Sequence, residues 1–169
     1  VDGGESVSVT TADSLQGWMA DWSPDGTHIA YTRGIMGGWG QLVVIPTAGG
    51  ETRTLTDSIH TFAAGPRWSP DGGRIAFIGL QRDLLVIDVE TGRLDTLATI
   101  RRHGGLWSPS WSPDGEWLAF ASNRLGNINL WLTPAGGGEA EAITLGPGLH
   151  VVPVWAPDGE TIHFLYDPD

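Results

Sequence analysis

Cysteine is absent from the 169 residues, which removes disulfides, thiol nucleophiles and thiolate metal sites. Lysine is absent as well, and all nine cationic side chains are arginine. A P-loop lysine, a Schiff-base lysine and a Ser-Lys dyad are therefore excluded. Against 20 acidic residues the net charge is −11. That opposes nucleic-acid binding, which needs a cationic surface to displace phosphate counterions, and it reads as solubilising charge. No apolar run nears the roughly 20 residues of a membrane helix, so no membrane insertion is expected. No stretch with the layout of a secretory leader opens the sequence. Nucleophile-elbow, His-Glu-x-x-His and Gly-x-Gly-x-x-Gly patterns are missing too. The expectation is a protein with no catalytic residue, resident metal or cofactor.

Glycine, proline and tryptophan are plentiful, at 25, 11 and 9 residues, and they are not scattered. Trp22-Ser-Pro-Asp-Gly, Trp68-Ser-Pro-Asp-Gly, Trp111-Ser-Pro-Asp-Gly and Trp155-Ala-Pro-Asp-Gly follow one another at steps of 46, 43 and 44 residues. A period in the mid-forties points to propeller blades. Within each copy Pro supplies the fixed φ of a tight turn, Asp follows in the bridge region and Gly takes positive φ. The phrase is thus a hairpin connection. Asp25, Asp71, Asp114 and Asp158 belong to that turn rather than to a pair of catalytic carboxylates, because an Asp there bonds its own following backbone. Trp22, Trp68, Trp111 and Trp155 each end a strand and are expected to anchor the core, where an indole buries a large area.

After each Gly comes a second strand: His28-Ile-Ala-Tyr31, Arg74-Ile-Ala-Phe77, Trp117-Leu-Ala-Phe120 and Thr161-Ile-His-Phe164. Large apolar residues two apart share one face. The intervening Ala lets a neighbouring sheet approach the other face, and His163 breaks the pattern in the last copy. Third strands are expected at Gln41–Ile45, Leu84–Asp88 and Ile128–Leu132, and short fourth strands at Glu51–Leu55, Arg93–Leu97 and Glu139–Ile143. The fold expected is all-β, a β-propeller of four-stranded antiparallel blades with strands A to D. Residues 1–13 align with a strand D of a preceding blade, since Gly3–Thr10 matches Gly49–Thr56. Blades follow at 14–57, 58–100 and 101–146, and 147–169 forms an A–B hairpin. The unprotected faces and edges of such an arc have three resolutions: a longer propeller of about six to eight blades, two copies closing one ring as a homodimer, or self-closure as a four-bladed ring.

The Trp-Ser-Pro-Asp-Gly-x-x-Ile-Ala-Phe signature resembles the PD40 (WD40-like) repeat of TolB-type propellers, which also occurs in propellers of dipeptidyl-peptidase and prolyl-oligopeptidase relatives. Ser122–Leu130 resembles the B–C turn of the same family. The resemblance covers nearly the whole chain and implies a non-catalytic scaffold that binds a protein or peptide through its loop face or channel mouth. Its implied setting is periplasmic or extracellular. The alternatives are the gating propeller of a hydrolase whose catalytic domain lies elsewhere, and a metal- or sugar-binding channel.

The residues expected at the channel mouth are few. His60 and His103 share one register, eight residues before Trp68 and Trp111, and His150 stands five before Trp155. Converging imidazoles would suit Zn, Mn or Ni, although solvated loop histidines serve equally well. His28 and His163 fall on B strands and are expected to pack or face solvent. Arg101-Arg102-His103 is the one cationic cluster and can grip a carboxylate or phosphate, or pair with the chain's own acids. Trp18 and Trp107, each four residues before a repeat Trp, are placed to edge the mouth and stack a ligand. Met36 and Trp39, in the longest B–C loop, either cover the blade edge or meet a partner.

Overall fold

The computed structural model describes residues 17–35, 39–56, 65–79, 83–99 and 106–168. All regular structure among them is β. The first sheet runs in the order β1 (Gly17–Trp22), β2 (His28–Ile35), β3 (Trp39–Pro46) and β4 (Arg53–Thr54). The second has β5 (Arg67–Trp68), β6 (Arg74–Ile78), β7 (Leu84–Asp88) and β8 (Leu94–Ala98). In the third are β9 (Leu106–Trp111), β10 (Trp117–Leu125), β11 (Asn127–Pro134) and β12 (Glu141–Ala142). A hairpin of β13 (Leu149–Trp155) and β14 (Ile162–Asp167) follows. All pairings are antiparallel. Each A strand ends on its repeat tryptophan. Strands β4 and β12 span two residues each, shorter than the five the alternation suggested.

The Pro-Asp-Gly turns share one hydrogen-bond circuit. The Gly amide donates to the carbonyl three residues before it, the second residue of the phrase: Gly26 to Ser23, Gly72 to Ser69, Gly115 to Ser112 and Gly159 to Ala156, at 2.8–3.0 Å. Those four glycines have φ of 70°, 72°, 71° and 74°, a region that costs an L side chain strain. Ser23 Oγ donates to Asp25 at 2.6 Å and accepts from the His28 amide at 2.9 Å. The same serine relay joins Ser69 to Asp71 and Arg74 N, and Ser112 to Asp114 and Trp117 N. Each Asp also accepts the backbone N–H two residues on, at Thr27, Gly73, Glu116 and Glu160. The aspartates are thus consumed by the turn.

Between the sheets lie the cores. Ala30, Leu42 and Val44 of the first sheet meet Trp68, Ile75, Phe77, Leu85 and Ile87 of the second. On the second sheet's other face, Ala76, Ile78, Leu84 and Val86 meet Trp111, Leu118, Phe120 and Trp131 of the third. The small Ala30 and Ala76 of the first two B strands therefore each share a core with the next sheet's indole. Trp68 and Trp111 are each 8% exposed. The A–B turns stack with the same regularity. A Cβ placed on Gly72, Gly115 or Gly159 would stand 3.7 Å from Cδ of Pro24, Pro70 or Pro113.

Trp22 departs from the expectation of a core anchor, for it is 61% exposed. The repeat tryptophan is buried by the preceding sheet, and no sheet precedes the first among the described residues. At the far end the hairpin packs on β9, β10 and β11 but leaves Val154, Phe164, Leu165 and Tyr166 exposed. The described sheets form an open stack, with the first sheet at one end and the hairpin at the other.

Candidate functional site

Consecutive A strands approach one another, β1 with β5, β5 with β9 and β9 with β13, so the A edges converge on one side of the stack. The approach is close: a Cβ on Gly65 would come within 3.0 Å of Met19 Cβ. Met19 and Val152 occupy the same register, three residues before Trp22 and Trp155, and both adopt left-handed backbone, with φ of 48° and 55°. Each sits at a break in A–B register. These are bulges of the kind that bend an edge strand and re-aim its side chains. Both side chains are exposed.

One end of the stack carries the A–B and C–D turns, and the opposite end carries the B–C turns and the loops that enter each A strand. At that second end, Trp107 on β9 pairs with Ala121 and is half-buried. His150 on β13 pairs with Tyr166. Its ring is buried against Phe164 and Tyr166, with centroids 5.5 and 4.9 Å away. Its Nδ1 lies 3.2 Å from the Ile128 carbonyl of the third sheet, an acceptor that fixes the proton on Nδ1. His150 thus ties the hairpin to the third sheet. His60, Arg101, Arg102 and His103, together with Met36, lie outside the described residues, as do the side chains of Trp18 and Trp39. Residues 1–13, read as a strand D, lie outside them too. Among the described residues no group of three or more His, Cys, Asp or Glu side chains gathers to hold a metal. His28 is half-buried and His163 exposed, both on B strands.

Arg124, which the residue-type reading passed over, stands at the same end. Its guanidinium lies 4.4 Å from the Trp131 ring and 5.4 Å from that of Phe120. Nε reaches Ser122 Oγ at 3.5 Å, and Nη2 is buried without an acceptor among the described residues. Burial pulls its pKa below the usual arginine value, and stacking on the aromatic faces compensates. The signal available was Ser122-Asn-Arg followed by an aromatic strand C. Nearby, Asn127 Nδ2 donates to the Gly146 carbonyl at 3.0 Å, joining the B–C turn to the next entry loop. Among the described residues this end carries half-buried aromatic and cationic groups, Trp107 and Arg124. It is suited to holding a chain segment.

The family model described as the TolB beta propeller domain matches residues 41–169. The chain belongs to the TolB-type PD40 β-propeller family. An uncharacterised protein of Agrobacterium fabrum is 30% identical over 151 residues, which is 87% of this chain and 50% of that protein. An uncharacterised peptidase of Bacillus subtilis is 29% identical over 144 residues, 85% of this chain and 20% of the peptidase. The solved structure of a TolB-like protein from Agrobacterium tumefaciens superposes with a TM-score of 0.75 at 28% identity, over 88% of this chain and 53% of that one. This TolB-type chain spans about half the length of the first of these relatives.

Proposed function

We propose that this TolB-type propeller chain is a non-catalytic scaffold that binds a protein or peptide partner at the end of the stack where the A strands begin. The observation that carries the reading is the convergence of the A strands beneath that end. It brings the half-buried Trp107 and Arg124 to one end of the stack on a β-sheet support, and Arg101, Arg102 and His103, which lie outside the described residues, join them in this reading. The TolB resemblance supports a periplasmic, envelope-associated setting.

A photo-crosslinking residue placed at His103, with a second at Asp158 in the turn at the opposite end, tests the reading in envelope extract. Protein adducts are expected from position 103 and not from 158. Equal adducts from both, or none from 103, overturn it. The Bacillus peptidase favours a second reading, in which the chain is the propeller portion of a hydrolase whose catalytic domain lies beyond this segment. Peptide hydrolysis by the full parent protein, abolished by substitution of a nucleophile-elbow serine outside residues 1–169, would select that reading over the first.

A further inference from the structure

Beside each strand C, strand D sets two side chains at equivalent places in the three sheets. Val44 pairs with Arg53, Val86 with Asp95 and Leu132 with Glu141, and the residues two earlier are Glu51, Arg93 and Glu139. In the first two sheets the two carry opposite charges. Arg93 and Asp95 form an ion pair at 2.7 Å. The third sheet has two glutamates instead. Both are exposed, and among the described residues neither meets a cation. Two like charges so placed repel each other, and their own sheet offers nothing to offset that.

Glu139 and Glu141 line a groove of about 370 Å³ between the third sheet and the terminal hairpin, at the end carrying the A–B and C–D turns. Leu132, Ile143, Trp117 and Trp155 form its apolar wall. Trp117 is 40% exposed, so its ring is open to a guest, and Ile143 is exposed as well. Trp117 stands six residues after Trp111, as Arg74 stands six after Trp68. Arg74 sets its guanidinium 4.8 Å from the Trp111 ring. The middle groove thus carries its own cation where the last carries a second indole. Among the described residues no cationic side chain lies over Trp117 or Trp155. The groove's third acid, Asp114, is held by Ser112 and the Glu116 amide, which leaves the two glutamates as its free carboxylates.

We infer that the groove between the third sheet and the terminal hairpin receives a cationic side chain, lysine or arginine, from a peptide segment of a partner protein. Its charged head meets Glu139 and Glu141, and its aliphatic stem lies along Trp117, Leu132 and Ile143. Charge complementarity selects the occupant. An exposed ion pair alone adds little, so the open indole and the apolar wall supply the remainder of the binding. The groove is at the opposite end from the rim proposed above and stands independently of it.

Calorimetric titration of the full chain with acetyl-Gly-Lys-Gly-amide, acetyl-Gly-Arg-Gly-amide and their norleucine counterpart, at low and high salt, tests the inference. Saturable binding is expected for at least one cationic peptide, tighter than the norleucine peptide by about tenfold or more and weaker at high salt. The Glu139→Gln, Glu141→Gln double variant should weaken it about tenfold. Trp117→Leu keeps an apolar residue on the strand and should weaken it about threefold or more. Glu51→Gln, in the first groove, should leave it unchanged. Should the double variant fail to fold, Trp117→Leu and Glu51→Gln still give the reading. No saturable binding of either cationic peptide, equal binding of the norleucine peptide, binding indifferent to the folded double variant or to Trp117→Leu, or an equal loss from Glu51→Gln would overturn the inference.

Discussion

Trp22 and Trp68 carry the same letter in the same phrase but play different parts, because burial depends on what precedes the sheet. Trp68→Ala removes an indole from the core shared with Ala30, Val44 and Phe77 and should cost about 3–5 kcal/mol in urea denaturation. Trp22→Ala, at an exposed site, should change stability by less than about 1 kcal/mol in the same measurement. The turn aspartates give a second prediction. The Ser23 hydroxyl above all, then the Thr27 amide and hydroxyl, lower the Asp25 pKa from 3.8 to about 2. Asp71 and Asp114 are lowered through Ser69 and Ser112. A carboxylate whose folded pKa lies below its unfolded value adds stability that is fully present above the unfolded pKa. That stability is lost as pH falls through the folded one. Stability should therefore decline from about pH 4 toward pH 2. Ser23→Ala should raise the Asp25 pKa toward 3.8 in a carboxyl NMR titration; a pKa that stays near 2 refutes the serine's role.

At the scale of the element, the fourth hairpin is the defective copy. Ala156 replaces the serine that relays Asp to backbone in the other three, so Asp158 keeps only its bond from the Glu160 amide. Ala156→Ser should restore both missing bonds and raise stability by about 1 kcal/mol, seen as a higher melting temperature. An unchanged or lower melting temperature would mean the relay adds nothing. The hairpins were legible in the sequence because turn chemistry is local: Pro, Asp and Gly each act through their own φ and their nearest hydrogen bonds. Strands B and C were legible as well, since Ile75, Phe77, Leu85 and Ile87 alternate with residues of the opposite face. Two of the three D strands, β4 and β12, were overread, as alternation continues in Glu51–Leu55 while the ladder pairs two residues; the third, β8, has the expected five. The bulges at Met19 and Val152 left no local sign, for they arise where sheet edges crowd one another.

For the whole molecule, the decisive feature is that the stack of described sheets ends on both sides in a face that no other described sheet covers. Trp22 and Met19 are exposed at one, and Val154, Phe164, Leu165 and Tyr166 at the other. Open sheets with apolar faces invite association. The isolated chain of 18.0 kDa should therefore give a light-scattering mass near twice that value, and a sharp monomer peak at all concentrations would refute self-association. Further blades of a longer chain, added in trans, should compete with it.

The sequence alone determined the repeat, the hairpins and the family resemblance, because each is written in contacts between residues close in the chain or two apart on a strand. Tertiary structure decided which tryptophan is buried, where His150 points and which groove Arg74 fills. Those depend on the sheet next door, a neighbour more than 40 residues away along the chain, whose approach no local pattern encodes.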